Sequence, residues 1–215
     1  MFYSQDKQDQ FLHENVFKGF RNGVFVDVGA HDGKSLNNTL FFEQALGWTG
    51  LNVEPLPYVY EQLKINRPNC VNINVAVDNN EGFAEFYSND GAVEMLSGLV
   101  RHYHDRHKTR LGHELDAYGG LSNVTQVRTR PLSAILEENK LDHVHYLSID
   151  VEGAELAVLQ SIDFSKVFID CIGFECNYED RLPDILGLLT QKGYTRITRE
   201  ECIDVFVIHE RSPFK

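Results

Sequence analysis

The stretch YLSIDVEGAE, Tyr146–Glu155, sets three carboxylates, Asp150, Glu152 and Glu155, close together behind an apolar run. Side chains of this type can take a proton from a reacting hydroxyl or ligate a hard cation. They can also start a helix, whose N-terminus favours negative charge by about 0.3–1 kcal/mol. Asp150 ends the apolar run and, on strand periodicity, shares a face with Ser148 and Tyr146, opposite Leu147 and Ile149. Glu155 stands where the helical pattern GAELAVLQSI begins and reads as its cap. Glu152, in the turn itself, is balanced between capping and facing a cleft. Glu175 ends a second apolar run, VFIDCIGFE, and can stand beside Asp150 at one sheet edge. Asp150 and Glu175 would then either hold a divalent cation such as magnesium or manganese, or supply a general base.

A second constellation is VFVDVGAHDGK, Val24–Lys34. Gly29 and Gly33 sit where a strand meets a helix, and glycine there permits a sharp turn and close approach of a ligand to the backbone. The helix start offers free N–H groups. The pattern is not GxGxxG, and Asp27 would oppose a pyrophosphate. An acid at Asp27 suits a ligand with a cationic amino-acid tail; a tight structural turn is the plain alternative. Glu54 ends the next strand, where an acid can accept hydrogen bonds from both ribose hydroxyls.

The segment SGLVRHYHDRHKTRLGHE, Ser97–Glu114, gathers His102, His104, His107 and His113 with Arg101, Arg106, Lys108 and Arg110. It reads either as solvated surface or as a substrate lid supplying a histidine base, His102 or His104, with Tyr103 and Tyr118 to stack on a sugar face. A HxHxxH zinc site is a third reading, without a clear fourth ligand.

The elements that must position these residues alternate. Strands are expected at Gly23–Gly29, Thr49–Pro55 and Cys70–Val77, and at EGFAEFYS, NVTQVRT, HVHYLSID and VFIDCIGFE. Helices are expected at Ser35–Gly47, Pro57–Asn66, Leu132–Asn139, GAELAVLQSI and DRLPDILGLLTQKG. Pro57 suits a first helical position. Two final strands, YTRITR and CIDVFVIHE, form an antiparallel hairpin about Glu200 and Glu201. Continuous apolar strands alternating with helices mean an α/β protein with a mainly parallel sheet.

The 215 residues fit one domain, 1–215, with 89–120 as a candidate lid insertion. A net charge of −12 argues against broad nucleic-acid binding. No apolar run approaches the roughly 18–20 residues of a membrane span, and the N-terminus lacks the pattern of a signal peptide. Cys70, Cys171, Cys176 and Cys202 show no CxxC spacing and read as free thiols in a reducing, cytoplasmic setting, with a zinc site or a disulfide as the alternatives.

VFVDVGAHDGKSLNNTLFFE, GWTGLNVEPLP and YLSIDVEGAE, with the opening YSQDKQDQFL, resemble the FkbM-type S-adenosylmethionine-dependent methyltransferases. The resemblance runs from about Tyr3 to Glu175. It implies a class I methyltransferase Rossmann-like fold: a seven-stranded mainly parallel sheet in the order 3-2-1-4-5-7-6, strand 7 antiparallel, with helices on both faces. It implies that S-adenosylmethionine lies at the carboxyl ends of the first strands. Asp27, Gly29, Ala30, His31 and Gly33 would surround its methionine moiety. Glu54, followed by Pro55, would hold the ribose. Ser35, Asn38 and Thr39 would reach the carboxylate, Gln5 would contribute from the N-terminal segment, and Ala76 and Val77 would pass near adenine. Asp150 would lie beside the transferred methyl group. The implied activity is O-methylation of a sugar, glycan or small natural product. The alternatives are a nitrogen or macromolecular acceptor, or a noncatalytic cofactor-binding module.

Overall fold

Short runs of valine, phenylalanine and isoleucine build the centre of the molecule. The computed structural model describes residues 1–197 and 204–215. The chain begins with α1 (Gln8–Phe11), which continues as a π-helical turn over Leu12–Phe17. Then come β1 (Val24–Val28), α2 (Leu40–Leu46), β2 (Thr49–Val53), α3 (Pro57–Asn66), β3 (Val71–Ile73) and β4 (Ala76–Val77). β5 (Gly82–Asn89), β6 (Gly98–Leu99), α4 (Asp105–Tyr118) and β7 (Ser122–Arg130) follow. α5 (Leu132–Glu138), β8 (His143–Ile149), α6 (Glu155–Gln160), β9 (Phe168–Glu175), α7 (Leu182–Gln191), β10 (Tyr194–Ile197) and β11 (Asp204–His209) complete it.

One sheet has the order β10-β11-β9-β8-β1-β2-β3. Numbered by their sequence within that sheet, its strands run 3-2-1-4-5-7-6. β11 is antiparallel to both β9 and β10, and the remaining pairs are parallel. The terminal hairpin is therefore present as a strand pair. The far ends of YTRITR and CIDVFVIHE, the Glu200–Glu201 turn and Cys202 lie outside the described residues. Cys70, Cys171 and Cys176 are free thiols.

Alternation along the strands sends side chains to two cores. Val26, Val28, Leu147 and Ile149 pack with Leu132, Ile135, Val158, Ile185 and Leu189 of α5, α6 and α7. On the other side, Phe25, Tyr146 and Phe206 pack with Leu12, Phe17, Phe41, Phe42 and Trp48, from the N-terminal helix and the region of α2. Helices thus cover both faces.

Two elements depart from the sequence expectation. The run CVNINVAV, expected as one strand, is split: β3 joins the large sheet, while β4 joins a second sheet of order β4-β7-β5-β6. Asn74, at the break, donates to the carbonyls of Glu54 (2.8 Å) and Pro55 (2.9 Å), drawing the chain away from the β3 ladder. The helix expected from Ser35 starts at Leu40. Asn37 Oδ1 accepts from the N–H groups of Thr39 (3.0 Å) and Leu40 (2.8 Å), so the amide side chain caps the helix and the residues before it stay irregular.

Candidate functional site

The carboxyl ends of β1, β2, β8 and β9 converge on one large cavity. Its floor is the turn after β1. Gly29 (φ +86) and Gly33 (φ +73) are left-handed, and a Cβ at Gly29 would overlap the Asp150 carbonyl, so only glycine fits between β1 and β8. Asp27 lines the cavity and is buried. Its Oδ2 accepts from Asn37 Nδ2 (2.9 Å) and Thr39 Oγ1 (2.8 Å). Behind them lies a fully buried guanidinium, Arg67, donating to the Gly33 carbonyl (3.1 Å), Asn37 Oδ1 (3.0 Å) and Thr39 Oγ1 (3.2 Å), and paired with Glu43. Burial raises the Asp27 pKa, and Arg67, Thr39 and Asn37 oppose that rise.

Glu54, after β2, accepts from the backbone N–H of His31 (3.1 Å) and of Leu56 (2.8 Å). Burial nevertheless pushes its pKa up to about 8. The His31 ring reaches across the cavity to Glu94 Oε1, 2.8 Å from Nε2, on the 3-10 turn Gly91–Leu96.

The far end of the cavity is acidic. Asp150 follows β8, Glu152 occupies the next turn, Glu175 ends β9 and Asp204 begins β11. Asp150, Glu152 and Glu175 offer carboxylate oxygens within 4.8 Å of one another. Asp150 lines the cavity and keeps part of its surface open there. Burial, then the nearby Asp204, Glu155 and Asp27, lift it to about 7, while a hydrogen bond with Glu175 works the other way. Burial, then Asp150 and Glu152, drive Glu175 to about 10. Glu152 is raised as well, by burial and then by Asp150 and Glu155. Three like charges in one low-dielectric pocket cannot all ionise cheaply. Asn177 Nδ2 donates to Glu175 Oε2 (2.6 Å), and Gln8 of the N-terminal segment pairs with Asp204. Glu155 is the first residue of α6; the N-cap is Ala154, and the Glu155 side chain accepts from the Gly153 N–H (2.9 Å), ahead of the helix, instead of capping it.

The segment 89–120 folds as the 3-10 turn, β6, a second short 3-10 turn and α4. It brings Glu94, Met95, Leu96, Ser97, Arg110 and Glu114 to the cavity. Its histidines do not meet in one HxHxxH site. His102 faces Asp78 at 3.2 Å, beside the Arg101–Asp78 pair. His104 faces Asp180 at 3.1 Å and stacks on Tyr178. His107 points inward, with Nδ1 3.1 Å from Tyr178 Oη and Nε2 3.3 Å from Glu152 Oε2. Burial lowers the His107 pKa to about 4, so its ring is neutral.

Of the residues singled out in the sequence, Gln5, Asp27, Gly29, Ala30, His31, Ser35, Asn38, Glu54, Pro55, Ala76, Val77, Asp150, Glu152 and Glu175 line the cavity. Gly33, Thr39, His102 and His104 do not. Gly33 packs under Leu63 and Arg67, and Thr39 spends its hydroxyl on Asp27. His102 is held by the buried Asp78 and His104 by the exposed Asp180. Tyr103 is buried with its hydroxyl on the Leu96 carbonyl, and Tyr118 is exposed outside the cavity, so neither is placed to stack on a ligand there. Asn37, Arg67, Asn177 and Asp204 were not singled out in the sequence, and Arg110, which lines the cavity, only as part of the basic segment. Of these, only Asn37 carried a signal, its place before an apolar helix.

A second cluster, His143, His145 and Asp170, lies in the amino-terminal halves of β8 and β9, away from the cavity. His145 Nδ1 accepts from the Val24 N–H (3.0 Å), so the neutral ring carries its proton on Nε2 and has no lone pair there for an ion. Burial, followed by the neighbouring His143, lowers the His145 pKa.

Among known proteins, the family described as Methyltransferase FkbM domain matches residues 27–196. No curated protein matches the chain. Among solved structures, the METTL16 MTase domain aligns with a TM-score of 0.50 at 10% identity, covering 94% of this chain and 65% of that one. A precorrin-6y C5,15-methyltransferase from Geobacter metallireducens gives a TM-score of 0.47 at 11% identity, over 95% of this chain and 86% of that one. Aeropyrum pernix fibrillarin, solved with natively bound S-adenosyl-L-methionine, gives 0.44 at 9% identity, over 88% and 68%. At 10% identity the likeness to the METTL16 domain is one of fold alone.

Proposed function

The chain belongs to the FkbM methyltransferase family, and on that premise we propose that it moves the methyl group of S-adenosylmethionine to a hydroxyl of a sugar, glycan or small natural product. The observation that carries this reading is Asp150, a carboxyl group beside the Gly29 turn whose pKa sits near 7. A general base works best when its pKa lies near the operating pH.

The residues around the β1 turn fit the cofactor. Asn38 lines the cavity with its Oδ1 buried and without a hydrogen-bond partner, an acceptor left over for an ammonium group. Asp27 adds negative charge, and Glu54 stands at the end of β2 for the ribose hydroxyls. When bound, S-adenosylmethionine supplies a methyl group activated by a positive sulfonium. Transfer forms the acceptor O–CH3 bond, breaks the S–CH3 bond and releases the hydroxyl proton, which Asp150 takes. Glu175, held protonated near neutral pH, keeps a second negative charge away from Asp150. The test is isothermal calorimetry with S-adenosylmethionine. Asp27→Ala or Glu54→Ala should abolish binding, and binding at wild-type strength in both variants would refute the cofactor assignment.

A second reading places a magnesium or manganese ion between Asp150 and Glu175. It is supported by the three carboxylates within 4.8 Å. Methyl transfer that survives exhaustive chelation would count against it.

A further inference from the structure

Glu152 is held in an unusual way. Its backbone is left-handed (φ 54), a conformation that is strained for a residue other than glycine. Gly153 after it has φ +111, and a Cβ there would come within 2.9 Å of the His102 carbonyl. The turn thus aims the Glu152 side chain at α4, where it meets His107. The His107 ring is fully buried, crossed edge-on by Tyr103 (4.3 Å, 89°) and fixed at Nδ1 by Tyr178. When the Tyr178 hydroxyl donates to Nδ1, the proton of the neutral ring sits on Nε2 and faces Glu152 Oε2 at 3.3 Å. Neither atom has an aligned hydrogen-bond partner. The two atoms are within hydrogen-bond distance but not aligned, the state in which catalytic hydrogen bonds are often found before a ligand binds.

We propose that His107 is a positioning residue for the methyl transfer, orienting Glu152 toward the acceptor. This rests on the reading above, that transfer occurs at the Asp150 cluster. On binding, the acceptor engages one Glu152 oxygen while His107 Nε2 holds the other. The cap helix α4 is thereby part of the acceptor site, and His107 is the histidine of the 89–120 segment that matters to turnover.

The experiment pairs nitrogen-15 NMR of the imidazoles with radiolabelled methyl transfer from S-adenosylmethionine to a panel of neutral and amino sugars. S-adenosylhomocysteine affinity reports an intact cofactor site. Glu152→Gln should move the His107 Nε2 resonance. His107→Phe keeps the ring against Tyr103 but has no donor, and should lower transfer roughly 100-fold with S-adenosylhomocysteine affinity unchanged. His107→Gln, which returns a donor near the Nε2 position, should recover most of it. An unmoved Nε2 resonance, or wild-type transfer in His107→Phe, overturns the proposal. Should no sugar of the panel accept the label, the NMR outcome decides. Failure of the underlying reading looks different: S-adenosylhomocysteine does not bind the wild-type protein, or Asp150→Asn transfers at the wild-type rate.

Discussion

His31 Nε2 lies 2.8 Å from Glu94 Oε1, a contact that joins the glycine turn after β1 to the segment between β5 and β6 across the cavity. Both residues line that cavity, and both side chains keep some exposure (22% and 30%). A partly exposed pair contributes about 0.2–1 kcal/mol. Glu94→Gln should therefore weaken S-adenosylhomocysteine binding by no more than about fivefold, mainly through a faster off-rate, measurable by stopped-flow fluorescence. An unchanged off-rate would mean that the contact does not hold the cavity closed.

Arg67 should matter far more, although it never reaches the cavity. Its guanidinium is fully buried among Glu43, Gly33, Asn37 and Thr39, and it neutralises charge behind Asp27. Removing one partner of such a network strands the others. Arg67→Met should lower stability by about 3–5 kcal/mol in urea unfolding and abolish S-adenosylmethionine binding.

The glycines divide into two kinds. Gly29→Ala forces a Cβ into the Asp150 carbonyl at φ +86, and should give little folded protein. Gly187, in α7, has open space around it. Gly187→Ala should stabilise by about 0.4–1 kcal/mol, read as a higher thermal midpoint.

The raised carboxyls make stability fall with pH. Asp150 near 7 and Glu54 near 8 hold their protons more tightly folded than in the unfolded chain, where carboxyls titrate at about 4. Their contribution is complete below that unfolded range and is lost as pH rises through about 7 to 8. Urea midpoints should be higher at about pH 5 than at about pH 9, and Asp150→Asn should flatten the difference. A midpoint that does not fall toward alkaline pH would contradict the burial of these groups.

Much of this was legible in the chain. Asp27, Glu54 and Asp150 end apolar runs halted by glycine, proline or a turn, and such runs in an α/β protein have their carboxyl ends at the crevice. What the sequence hid depends on distant pairings. The division of CVNINVAV between two sheets turns on Asn74 bonding to carbonyls twenty and nineteen residues away. Arg67, just past the end of α3, carries no mark of its role in the sequence, because burial of a guanidinium is decided by partners that only the fold assembles. In the histidine-rich segment, Tyr103, His107 and Leu111 recur at the four-residue spacing of one helix face, and His107 and Leu111 are buried. That pattern, rather than the count of histidines, separates the inward His107 from His102 and His104.

The central claim is transfer of a methyl group to a hydroxyl with Asp150 as base. Its most direct test is mass spectrometry of hydroxyl-bearing sugars and glycans incubated with the protein and S-adenosylmethionine, run in parallel for wild type and Asp150→Asn. The product should be heavier by one methyl in place of one hydrogen, with the methyl on oxygen, and should fall by roughly 100-fold or more in Asp150→Asn. A methyl group found on nitrogen, or a product formed equally fast by both proteins, would contradict it.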